Sequence, residues 1–116
     1  MPTIAIVVIS VTIAANAAIA VADLARAKFV LANGAEVGVP ESWLPGLAAL
    51  KGAGAAGLLL GFLDLPVVAA MAAAGLVLFY VGALIAHVRA RVFYNIAFPG
   101  AFFGLAVASL VSTATY

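Results

Sequence analysis

The chain has 116 residues, of which 68% are hydrophobic and 8% charged, and its mean hydropathy is +1.34. A water-soluble domain carries roughly 25% charged residues, so this composition excludes a surface facing water on all sides and makes the bilayer the solvent. A net charge of +1 leaves no basic patch for a nucleic-acid partner. The lack of cysteine excludes disulfides, thiol chemistry and Cys-ligated zinc or iron–sulfur sites in this chain.

A span needs about 20 residues, so the length fits a single domain over residues 1–116 with four spans and short connections. The fold expected is an all-α integral membrane four-helix bundle, with spans at about 3–23, 45–63, 66–87 and 95–112. The first apolar run begins at Thr3 and is expected to continue as helix through Arg26 to Phe29, with Asn33-Gly34 as its stop, because both residues tolerate the left-handed conformation. Ala18-Ile19-Ala20 resembles a signal-peptide cleavage site, yet no Lys or Arg precedes the apolar run, so a permanent span is expected.

Residues 35–45 form the longest polar connection, and Trp43 there suits the headgroup level. A short interfacial segment is expected before the second span, with Pro40 and Pro45 at helical starts. Asp64-Leu65-Pro66 reads as a tight turn into the third span. Asn95 is the expected N-cap of the fourth span. Pro99 then either sits harmlessly in its first turn or kinks it at Pro99-Gly100.

Arg26 and Lys28 lie in the first connection and Arg89 and Arg91 in the third, whereas the second connection and both ends carry no Lys or Arg. By the positive-inside bias, both termini are expected outside. Val21-Ala-Asp-Leu and Ile85-Ala-His-Val end their spans alike, and Pro45-Gly46 and Pro99-Gly100 open the following ones. This is the pattern either of two hairpins related by an axis along the membrane normal or of chance.

The second span carries the ionisable Lys51, followed by Gly54, Gly57 and Gly61 near one helical face. An ionisable residue within a span is a functional-site candidate. Small residues spaced this way let a neighbouring helix approach closely. Asp23 and His87 both stand 21 residues after the proline that opens their span, so at 1.5 Å per residue they reach about the same depth. Asn16 and Tyr80 each lie two turns earlier on the same face. Asn16, Asp23, Lys51, Tyr80 and His87 therefore can line one cavity at the end where the basic loops lie.

Each has an ordinary alternative. Lys51 can snorkel to the interface. Asp23 and Arg26 have the spacing of a local surface pair. His87 at a helix end complements the dipole, Tyr80 suits a core aromatic, and Asn16 can be interhelical glue. There is no nucleophile–base–orienter set and no phosphate-cradling loop, so catalysis by this chain alone has no motif to support it.

Residues 27–62, AKFVLANGAEVGVPESWLPGLAALKGAGAAGLLLGF, followed by LVLFYVGALIAHVRAR, resemble the DoxX-like family of small bacterial four-helix membrane proteins. The matching features are a first span ending in a basic run, the connection Val37-Gly-Val-Pro40, the Gly-rich second span with an ionisable residue at Lys51, and Gly82-Ala83 leading to His87-Val-Arg89. Many members carry glutamate where this chain has Lys51, which reverses the local charge. The resemblance implies a multi-pass protein of the bacterial cytoplasmic (inner) membrane. It further implies an accessory subunit or anchor of a redox-related assembly, with quinone or a lipid headgroup as ligand and a membrane redox complex or a second copy as partner, besides the bilayer itself. No covalently bound cofactor is expected. A small transporter also fits the length, but small multidrug exporters rely on a glutamate in the first span, where this chain offers Asn16. A ligand-free structural or assembly factor is the third reading.

Overall fold

The structure is a computed structural model describing residues 1–116. Four apolar helices are long enough to cross a bilayer: α1 (Thr3–Leu24), α3 (Leu44–Gly61), α4 (Pro66–Arg89) and α5 (Ala97–Thr115). A shorter α2 (Lys28–Glu36) and a 3-10 turn (Glu41–Trp43) join α1 to α3. Proline opens two of the spanning helices where its missing N–H breaks no bond, at Pro45 in α3 and Pro66 in α4. The helices form a four-membered ring in which α1 and α4 each pack between α3 and α5. The chain is therefore an all-α, multi-pass membrane bundle.

Its outer surface is the opposite of a soluble bundle's. Ile4, Val7, Val11, Leu78 and Val111 are exposed, the surface that lipid covers. The buried stripe of α1 is Ala5, Ile9, Thr12, Asn16, Ala20 and Asp23, one helical face of spacing three or four that becomes more polar along its length. Ile9, Leu58, Ala73, Leu76, Tyr80 and Ala106 form the apolar centre.

Close approach of α3 and α4 rests on the glycine face. A Cβ on Gly57 would lie 2.5 Å from the Ala72 Cβ, and one on Gly61 would lie 2.5 Å from the Ala69 Cβ. At Gly54 it would meet the buried Leu76 side chain at 2.5 Å. Each glycine faces a successively earlier residue of α4, the register of two antiparallel helices in contact.

Three helices end with a non-glycine residue in the left-handed region: Arg26 (φ 54°), Asp64 (φ 63°) and Arg91 (φ 56°). After Arg26, the Ala27 N–H donates to the Ala22 carbonyl at 3.0 Å; after Arg91, the Val92 N–H donates to the His87 carbonyl at 2.9 Å. With Arg26 N–H on Asp23 O and Arg91 N–H on Val88 O, both at 3.1 Å, these are Schellman turns.

The turn at Arg26 corrects the expected continuation of the first helix. The helix stops at Leu24 and the chain restarts as α2, whose N-cap, Ala27, is extended. Asn33 and Gly34 lie inside α2, and the left-handed stop falls four residues later on Gly38 (φ 78°). Asn95 is not the N-cap of α5 either. That position is Ile96, and the Asn95 amide is turned away to donate to the Asn33 side chain at 3.0 Å. Helix α5 runs unbroken past Pro99, its third residue, with Gly100 N–H on the Ile96 carbonyl.

Candidate functional site

The C-terminal ends of α1 and α4, the N-terminal parts of α3 and α5, and α2 lying across them enclose a cavity of about 650 Å³. Asp23 arrives on the last turn of α1, Lys51 on the second turn of α3, and Tyr80 and His87 on α4 two turns apart. All four line this cavity. Asn16 does not. It stands behind Tyr80, whose hydroxyl donates to Asn16 Oδ1 at 2.5 Å.

Lys51 turns inward. Its Nζ lies 2.5 Å from Asp23 Oδ2, and the two side chains are 9% and 3% exposed. The ammonium also stands 5.4 Å from the Phe79 ring centroid, within cation–π range. The snorkelling alternative is thereby corrected, and so is the surface pair of Asp23 with Arg26. The Arg26 guanidinium instead donates to Glu41, tying the end of α1 to the 3-10 turn. Burial favours the inward pair because an isolated charge at this depth would lack both water and a counter-ion.

His87 is buried, and its Nδ1 lies 2.9 Å from the Ala83 carbonyl one turn back. A carbonyl only accepts, so Nδ1 carries a proton, and in that tautomer Nε2 is an acceptor. Nε2 is buried and has no partner.

Behind the cavity a polar ladder crosses the bundle. Asn16 Nδ2 donates to the Thr12 carbonyl at 2.9 Å, Thr12 Oγ1 donates to the Val8 carbonyl at 2.8 Å, and Ser109 Oγ on α5 donates to Thr12 Oγ1 at 2.8 Å. Thr12 and Ser109 escaped notice in the sequence. The signal was their place in a spacing of three or four: Thr12, Asn16 and Asp23 share a stripe with the small residues Ala5 and Ala20.

The mouth was also missed. Trp43, Tyr94, Phe98 and Phe102 wall the cavity, with Asn33, Glu36 and Asn95 at its rim. The Tyr94 hydroxyl donates to Glu36 Oε1 at 2.5 Å, which pins α2 to the segment before α5. That bond, with minor help from desolvation and the carboxylate's charge, holds the Tyr94 hydroxyl above its ordinary pKa of 10.0. Asn95 Oδ1 is buried without a partner.

Four apolar spans enclosing a polar cluster at one end define a multi-pass membrane protein with an internal ligand-sized cavity. The chain belongs to the DoxX-like family, whose sequence model matches residues 7–109. No curated protein and no solved structure matches it.

Proposed function

We propose that this protein is an accessory membrane subunit or anchor of a redox-related assembly, and that its cavity holds the headgroup of a quinone-type ligand. The observation that carries the reading is the cavity's composition: aromatic walls around a buried Lys51–Asp23 pair and the unpartnered His87 Nε2. Such a site offers a flat apolar slot with polar groups at its inner end, as small-molecule sites do. It carries a net negative charge, because Asp23 balances Lys51 and Glu36 at the rim adds a second carboxylate. A neutral ring with oxygen substituents suits this better than an anionic lipid headgroup. The orientation goes with the same proposal. The cavity faces the cytoplasm beside Arg26, Lys28, Arg89 and Arg91, and both termini lie outside the bacterial inner membrane.

Trp43 is the single tryptophan of the chain and lines the cavity, so its fluorescence reports occupancy. Saturable quenching of Trp43 by a short-chain quinone analogue, weakened by Lys51→Met, is expected. Quenching that rises linearly without saturation, or is the same in the Lys51→Met protein, removes the ligand site.

A further inference from the structure

The hydrogen-bonding groups around the cavity divide unequally. Several of its donors have a partner within the protein: the Tyr80 hydroxyl on Asn16, the Tyr94 hydroxyl on Glu36, one Asn95 amide N–H on Asn33, and the Lys51 ammonium on Asp23 beneath the Phe79 ring. The buried atoms left without a hydrogen-bond partner are acceptors: His87 Nε2, Asn95 Oδ1 and Asp23 Oδ2, of which the last has the Lys51 ammonium beside it. The polarity of His87 is fixed by its own helix, since Nδ1 must give its proton to the Ala83 carbonyl. A buried acceptor left unmatched is unfavourable, and a ligand that supplies the missing donor recovers that loss.

We propose that the cavity selects ligands presenting an aromatic hydroxyl, with the ligand O–H donated to His87 Nε2. The ring lies between the aromatic walls, and a second hydroxyl on the same ring can be taken by Asn95 Oδ1. This rests on the quinone-type reading of the cavity and narrows it to the reduced, hydroxyl-bearing form. A quinone carbonyl accepts hydrogen bonds and leaves His87 Nε2 unmatched. A quinol donates and satisfies it. Discrimination of this kind is strong because the penalty falls on the protein's own unpaired group.

The test uses the unmodified protein in lipid nanodiscs and two ligand pairs, each differing in donor capacity. 4-Pentylphenol is compared with 4-pentylanisole, and duroquinol with duroquinone under anaerobic conditions, by calorimetry. His87 is the only histidine, so the imidazole 15N spectrum of histidine-labelled protein reports this ring alone. The phenol is expected to bind about tenfold more tightly than its methyl ether, the value of one recovered hydrogen bond. The quinol is expected to exceed the quinone by a similar factor. The Nε2 resonance should move on binding while Nδ1 stays in place. In His87→Phe the preference within each pair should vanish. Equal binding within both pairs, with Nε2 unmoved, overturns the selection of a hydroxyl donor and leaves a quinone site standing. Phenol selectivity without binding of either duro compound retains the donor rule and removes the quinone-type reading. No binding by any of the four overturns both.

Discussion

Asp23 and Lys51 come from α1 and α3, 28 positions apart in the chain, and meet as a buried ion pair at 2.5 Å. Neither charge has enough exposure to be solvated alone. Removing one partner of a buried pair leaves the other uncompensated, at a loss of about 3–5 kcal/mol. Lys51→Met and Asp23→Asn are each expected to destabilise the bundle strongly, and the double variant to lose less than the two single losses added. Unfolding of all four proteins in mild detergent gives the coupling directly. Strictly additive losses would sink the pair.

Gly57 and Gly52 lie on the same helix and should respond oppositely to alanine. A methyl at Gly57 meets Ala72 at 2.5 Å, a short side chain that cannot swing aside, so overpacking of about 1–3 kcal/mol is expected, and more for Gly57→Leu. Nothing lies within 4 Å of a Cβ at Gly52, where alanine should stabilise by up to about 1 kcal/mol through helix propensity. Thermal unfolding of the two single variants decides it, and equal shifts contradict the assigned contact face.

The Tyr80–Asn16 bond spans the bundle diagonal between α4 and α1. Tyr80→Phe leaves the buried Asn16 oxygen without its donor, a loss of about 1–3 kcal/mol. Adding Asn16→Leu should recover part of it, because both polar partners are then gone. A double variant less stable than Tyr80→Phe by the full amount of Asn16→Leu alone would show that the bond does not couple the helices.

Tyr94 supplies a pH-dependent tether. Its pKa is raised in the folded state by donation to Glu36, so the bond is fully present below the ordinary value of 10.0 and is lost as pH rises through the higher folded value. Alkaline titration of the tyrosines should show a midpoint above the ordinary range that disappears in Tyr94→Phe and falls in Glu36→Gln. A Glu36→Gln titration identical to the parent's excludes the tether.

With Arg26, Lys28, Arg89 and Arg91 at one end of the bundle, a reporter fused after Tyr116 should lie outside the cytoplasm. A cytoplasmic signal from that fusion reverses the orientation and places the cavity mouth on the other side.

The spans were legible because lipid imposes a long apolar run on each, whatever the helices do to one another. The depth count also put Asp23 and His87 at one level, since rise per residue is constant within a helix. The break after Leu24 was not legible. It carries no glycine or proline, and an arginine adopts the left-handed conformation there only because the following chain folds back as α2. The cavity walls were hidden for the same reason. Trp43, Asn33 and Tyr94 belong to connections, and their convergence depends on the path of α2 across the helix ends.

Arg26 and Arg91 hold two kinds of information in one residue. As cations they are two of the four basic residues on which the proposed orientation rests, while as left-handed residues they close the helices that carry Asp23 and His87 into the cavity. Glycine would relax each turn by roughly 1 kcal/mol, yet it would erase a charge on which the proposed orientation rests. Under that orientation, insertion and site assembly are written into the same two positions, and a glycine there would improve the local geometry only by blurring the molecule's sense of direction.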